Sequence, residues 1–212
     1  MTRLLLVRHG ESQGNAEHRL QGTVPYPLTE LGRKQGEALA ERVAAEGADV
    51  LYTSPTLRAR ETGEIIAQRI GLRLDVLEGV REYNFGVLSG LTMAEIAQRH
   101  PAWVHALREG GPVPLAEGEE GHESFRERVV SSLWGLVDKH PEDVVAVVTH
   151  SGVISVFCQD VSGARSMQAI NVFGTENCSL TVVDALPPSA LPPGMPRGVI
   201  VAFNDVCHTR AS

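Results

Sequence analysis

The chain has 212 residues, of which 42% are hydrophobic and 21% charged, and it carries a formal net charge of −7. That composition describes an ordinary globular protein with length enough for a sizeable core, and the sequence reads as one domain over residues 1–212. The acidic balance argues against general nucleic-acid or anionic-membrane binding, so an anionic ligand must meet positive charge focused in a pocket.

Leu4–Val7 is an apolar run of strand length, too short for the apolar region of a signal peptide. It delivers Arg8, His9 and Gly10, and Ser12-Gln13-Gly14-Asn15 then reads as a loop. Thr29 can cap a helix over Glu30–Glu46, with Leu31, Leu39, Val43 and Ala44 at helical spacing and Gly47 as its stop. Val50–Thr53 is a second strand. Ser54-Pro55 opens another helix, serine as cap and proline in the first turn, that ends at Gly71. Leu72–Leu77 alternates as a third strand, and Gly79–Gly90 is a glycine-punctuated loop holding Arg81, Glu82, Asn84 and Phe85.

Thr92 to Glu95 is a capping-box start to a short helix closed by His100-Pro101. From Gly110 to Gly121 the chain turns to proline, glycine and acid, the composition of a lid or a solvated loop. Ser124 caps a long amphipathic helix that ends before Pro141. Val144–Val148 is the most apolar strand, followed directly by Thr149-His150-Ser151-Gly152 and a helix over Val153–Val161. Leu180–Val183 and Val199–Phe203 supply two late strands, parted by a proline-rich turn from Leu186 to Pro196. Strands alternating with helices predict an α/β, three-layer fold: a doubly wound, mostly parallel sheet flanked by helices.

In such a sheet, ligands bind at the carboxyl ends of strands. Two strands here end in histidine, His9 and His150. Arg8 can fork onto two phosphate oxygens, while a neutral His9 offers a lone pair to phosphorus. Arg58 lies near a helix N-terminus, which already favours anions, and Glu82 sits on a glycine-flanked loop. Together these make a coherent phosphoryl-transfer set. Taken singly, Arg58 reads as a solvated helix arginine beside Arg60 and Glu61, Glu82 as a partner of Arg81, and His150 as a core residue. Cys158, Cys178 and Cys207 are odd in number and widely spaced, which predicts reduced core cysteines rather than a disulfide or metal site. His18, His100, His105 and His140 show no ligand spacing and read as surface residues. Glu117 to Glu123 reads as a solvated acidic loop. Nothing approaches transmembrane length, so a cytoplasmic location is the default expectation.

Five blocks in order resemble the histidine phosphatase superfamily, which also contains the cofactor-dependent phosphoglycerate mutases. They are Leu6-Val7-Arg8-His9-Gly10-Glu11-Ser12 with Asn15, then Arg19-Leu20-Gln21-Gly22 with Pro27-Leu28-Thr29-Glu30-Leu31-Gly32, then Ser54-Pro55-Thr56-Leu57-Arg58-Ala59, Arg81-Glu82-Tyr83-Asn84-Phe85-Gly86, and Thr149-His150-Ser151-Gly152-Val153-Ile154. The resemblance implies that His9 attacks phosphorus and carries a phosphohistidine. Arg8, Arg58 and His150 would hold the phosphoryl oxygens, with Asn15, Gln21, Gly22 and Ser151 in the phosphate and substrate site. Glu82 would protonate the leaving oxygen and then take a proton from water. No metal or cofactor is implied, and the partner is a small phosphorylated metabolite, bound by a monomer or homodimer. Tyr26 and Pro25 replace an aspartate common before the Pro-Leu-Thr segment, and Leu88-Ser89-Gly90 replaces Trp-Glu-Gly, so the substrate stays open. The mutases carry a longer insertion between acid loop and last histidine; the interval Tyr83 to Thr149 is short here, which favours a metal-independent phosphomonoester hydrolase. A phosphoglycerate mutase and a non-catalytic phosphate-binding domain are the alternatives.

Overall fold

The computed structural model describes residues 1–109, 113–164, 173–186 and 196–209. Strand β1 (Thr2–Arg8) leads through the single turn α1 (Gln13–Ala16) into α2 (Glu30–Ala45) and β2 (Val50–Thr53). Helix α3 (Leu57–Ile70) and β3 (Leu74–Val76) follow. A helical excursion then carries α4 (Met93–Arg99), α5 (Pro101–Glu109) and α6 (His122–Lys139) before β4 (Val144–Thr149). Helix α7 (Ser151–Ser162), β5 (Leu180–Ala185) and β6 (Gly198–Asp205) complete the order.

The six strands lie in the order β3-β2-β4-β1-β5-β6. The first four are parallel where they pair, β5 runs antiparallel to β1, and β6 antiparallel to β5 at the edge. The mostly parallel, three-layer α/β sheet expected from the sequence is what forms. Both faces of its centre are covered, so β1 and β4 read as unbroken apolar runs instead of alternating ones. Leu4, Leu6, Val145 and Val147 turn to one face and pack with Phe125, Val129, Leu133, Val153 and Phe157 of α6 and α7. Leu5, Val7, Ala146 and Val148 turn to the other, against Leu39, Val43 and Ile66 of α2 and α3.

Several boundaries differ from the sequence reading, each for a local reason. Ser12 and Asn15 form a reciprocal capping box, so the expected loop winds into α1. The cap of α3 is Thr56, not Ser54, because Ser54 turns its hydroxyl to His150. The third strand is only Leu74–Val76. Pro101 does not simply end a helix; it occupies the first turn of the next, α5. α6 starts at His122 behind Gly121, ahead of Ser124. Of the Gly110–Gly121 segment, 110–112 lie outside the described residues, as do 187–195 of the late turn.

The turn after β1 is pressed onto the start of α2. Thr29 N donates to the Glu11 carbonyl at 2.9 Å, and a Cβ added to Gly32 would land on that same carbonyl. Backbone cannot yield as a side chain does. Gly32→Ala is therefore expected to lower the unfolding free energy by about 2 kcal/mol or more in urea melts. Gly135→Ala on α6, where an added Cβ meets nothing within 4 Å, should raise it by about 0.5–1 kcal/mol.

Candidate active site

His9 sits one residue past β1, buried and pinned from several directions. Its N–H donates to the Thr149 carbonyl at 3.0 Å, and its own carbonyl accepts from Cys178 N at 3.2 Å and Asn177 Nδ2 at 3.0 Å. The ring is fixed too. Nδ1 lies 2.7 Å from the Gly10 carbonyl, which accepts only, so Nδ1 carries the proton and Nε2 keeps its lone pair. Gly10 N is held in turn by Thr62 Oγ1 at 3.1 Å, one helical turn beyond Arg58 on α3.

Arg58 is 1% exposed. Its Nε donates to His9 Nε2 at 3.1 Å, and its Nη2 to the Gly22 carbonyl at 2.8 Å and to His150 Nδ1 at 3.3 Å. Nη1 donates to the Val24 carbonyl at 3.2 Å. With Nδ1 accepting, His150 carries its proton on Nε2, which donates to Ser54 Oγ at 2.8 Å. Burial, then the neighbouring Arg58, holds both histidines well below 6.5, so both are neutral. Burial also brings Arg58 down to about 10, with Glu82 opposing, and it stays charged at neutral pH. The reading of Arg58 as a solvated surface residue is thus corrected: it shares the inward face of α3 with Thr62 and Ile66.

Arg8 donates through Nη1 to the Thr175 carbonyl, and its buried Nε has no hydrogen-bond partner among the described residues. Glu82 is partly buried. Its Oε1 accepts from Tyr83 N at 2.9 Å and its Oε2 from Gly152 N at 3.4 Å. Burial nevertheless raises its pKa, outweighing those donors and the two guanidiniums. The site therefore sets two cations beside a carboxyl poised to hold a proton.

A pocket of about 260 Å³ opens over these groups, lined at its floor by Arg8, His9, Arg58 and Glu82. Gln21, Gly22 and Ser151 stand on its wall with Gly152, as do Arg19, Leu20 and Phe85. His150 does not reach that wall but lies behind Arg58. Asn15 is also set back: its Oδ1 accepts from Ser12 N at 3.1 Å and Asn177 Nδ2 at 3.2 Å. Asn177 and Thr175 escaped the sequence reading. They precede a strand instead of following one, and only because β5 is antiparallel does its start meet the end of β1.

Other expectations need correction. Glu119 and Glu120 are not solvated; they bind Tyr83 Oη and Arg128. His140 is bonded to Tyr52 Oη at 3.0 Å and to Asp143. Cys158 and Cys178 are buried as expected, with their thiols pushed up to about 12, but Cys207 is exposed. Cys207 also comes within 4.8 Å of ligand atoms of Asp205 and His208, where Arg42 already sits against Asp205 at 3.6 Å.

The sequence model of the histidine phosphatase superfamily, branch 1, matches residues 4–187. The chain belongs to that superfamily. It is 30% identical over 211 residues to a probable phosphoglycerate mutase of Cronobacter sakazakii, covering 100% of this chain and 96% of the relative. It is 29% identical to phosphoserine phosphatase 1 of Hydrogenobacter thermophilus, covering 98% and 94%. Among solved structures it resembles a mycobacterial glucosyl-3-phosphoglycerate phosphatase in complex with VO3, at 27% identity and TM-score 0.81, over 95% and 98% of the two chains. The expected family and enzyme class, a phosphoric monoester hydrolase, are borne out. Among the described residues no helix is long and apolar enough to cross a membrane.

The buried neutral histidines give this histidine phosphatase a defined response to acid. Unfolded chains bind protons at His9 and His150 as pH falls through about 6.5, whereas the native state does not. Stability is complete above that value and falls below it, by up to about 1.4 kcal/mol per pH unit for each histidine. Glu82 works in the opposite sense: its raised pKa adds stability in acid that is lost as pH rises through its native value. Urea midpoints should therefore drop between pH 7.5 and 5.5, and drop less steeply in His150→Gln.

Proposed function

We propose that the chain hydrolyses small phosphomonoesters through a covalent phosphohistidine at His9, with Glu82 as proton donor to the leaving oxygen. The observation that carries this reading is the fixed tautomer of His9, which leaves a neutral Nε2 lone pair 3.1 Å from a buried guanidinium nitrogen. A phosphoryl oxygen entering the pocket takes the Arg58 Nε–H for itself. That releases the lone pair for attack at the moment the substrate arrives.

Nε2 then bonds to phosphorus as the bond to the leaving oxygen breaks. Charge spreads over the three equatorial oxygens, where Arg8 and Arg58 meet it. Arg8 brings its otherwise unbonded Nε–H. His150 stands behind Arg58 and orients it through Nδ1, Gln21, Gly22 and Ser151 complete the surround, and Asn15 supports it from behind. Glu82, whose pKa burial raises, gives its proton to the leaving oxygen. Its carboxylate next takes a proton from water, which attacks phosphorus and breaks the N–P bond to release inorganic phosphate.

The relatives named for phosphoserine, phosphoglycerate and glucosyl-3-phosphoglycerate support a small phosphorylated metabolite, and the pocket volume suits one. Hydrolysis is favoured over return of the phosphoryl group by the shape of the mouth. Among the described residues, none between Phe85 and Ser151 lines the pocket, which supports an open mouth. Water can reach the intermediate.

Labelled phosphomonoester quenched without acid should leave label on the wild-type protein and none on His9→Ala; label persisting in His9→Ala would refute the assignment. Arg58→Ala should lower kcat/KM by about 10³ or more, and Arg58→Lys should restore part, since an ammonium lacks the fork. Near wild-type activity in Arg58→Ala would reduce Arg58 to a packing role.

A further inference from the structure

Glu82 stands on a stretch, Arg81 to Phe85, with no helix or strand ladder of its own and a single isolated bridge, from Phe85 to Glu119. Its position must therefore come from contacts outside the backbone pattern. Gly152 N of α7 meets the carboxylate itself and Thr149 Oγ1 of β4 holds the Val80 carbonyl at 2.8 Å; the grip on the main chain either side of Glu82 comes from α6 and from the acidic segment just before it. Arg128 of α6 donates through Nη1 to the Gly79 carbonyl at 3.0 Å and to the Arg81 carbonyl at 2.9 Å, the residue directly before Glu82. Its Nη2 donates to both carboxylate oxygens of Glu120 at 2.9 Å. Glu120 passes the hold to the other flank: its Oε1 accepts from Asn84 N at 2.7 Å, and its own N–H donates to the Asn84 carbonyl at 3.1 Å. Between the two anchors, Tyr83 is fully buried against Phe125 and Phe85, with ring centroids 5.2 Å and 4.8 Å away.

We infer that Arg128 and Glu120 are positioning residues that set where the Glu82 carboxyl stands relative to the leaving oxygen. This rests on the reading of Glu82 as the acid. Neither residue lines the pocket, so neither meets substrate. An ordinary surface ion pair would do little, but this guanidinium spends two bonds on main-chain carbonyls that no ladder satisfies, and the pair grips the chain on both sides of one carboxyl. Gly79 is packed so closely on α6 that a Cβ there would run into Ser132. The main chain around the acid is thus referenced to α6, with only the long bond from Gly152 N of α7 on the carboxylate itself, while His9 is referenced to β1. Proton donation is sensitive to that distance, and a displacement of about 1 Å costs on the order of 10²-fold.

Leaving-group dependence separates this from general destabilisation. An alkyl phosphate needs its leaving oxygen protonated; a nitrophenyl phosphate departs as a weak base and gains far less from an acid. Single-turnover phosphorylation of His9 is measured with both substrates in wild type, Arg128→Met, Arg128→Lys, Glu120→Gln and Glu82→Gln, below each variant's melting temperature. Arg128→Met should slow the alkyl substrate by about 10²-fold and the nitrophenyl substrate by less than about fivefold, with Arg128→Lys recovering part of the loss. If Arg128→Met does not fold, Glu120→Gln should show the same selectivity at smaller size. Equal slowing of both substrates, or none, in variants whose Glu82→Gln counterpart is selective would overturn the positioning role and leave the acid standing. Loss of selectivity in Glu82→Gln itself would overturn both.

Discussion

The site depends on the burial of one guanidinium. Removing a cation from water costs several kcal/mol even after relaxation, and Arg58 meets that cost with acceptors drawn from three separate parts of the chain. The carbonyls of Gly22 and Val24 come from the loop before α2, His9 from the end of β1, and His150 from the end of β4. None of these acceptors carries a full negative charge. The guanidinium is satisfied in hydrogen bonding without being neutralised, so its field stays available to an anion. The same contacts oblige both histidines to present a lone pair to it, which selects their tautomers and keeps them uncharged.

A chain with net charge −7 thereby holds a local positive site without a lysine in it. The nearest balancing group is Glu82, whose own burial pulls it toward the neutral form. Arginine suits this arrangement because it remains protonated where a buried lysine would surrender its proton. Burial pushes the carboxyl and the imidazoles alike toward their uncharged forms.

Much of this was legible in the residue order. The apolar runs at Leu4–Val7 and Val144–Val148 are buried on both faces, so their ends could be read as ligand positions directly from hydropathy. Arg58 was harder. Its neighbours Arg60 and Glu61 look solvent-facing, and only the four-residue step to Thr62 and the eight-residue step to Ile66 reveal that it shares the inward face. Asn177 and Thr175 were hidden by a rule that looks past the carboxyl ends of strands, a rule that an antiparallel neighbour inverts. Glu119 and Glu120 were hidden by composition: carboxylates beside glycine and proline resemble solvated loop until their partners, Tyr83 and Arg128, are seen to be distant in sequence and adjacent in space. Hydropathy reports faces and periods well, but pairings between loops lie beyond its reach.

The helical excursion between β3 and β4 grips the Glu82 loop from behind, and among the described residues α4 to α6 contribute nothing to the pocket lining. It is therefore free to vary in a way the sheet is not. Residues inserted between α4 and α6 need not disturb His9, Arg8 or Arg58, and they leave Glu82 in place so long as Glu120 and Arg128 keep their grip. An elongated excursion that folded forward would cover the mouth while leaving the groups carried by the sheet where they are.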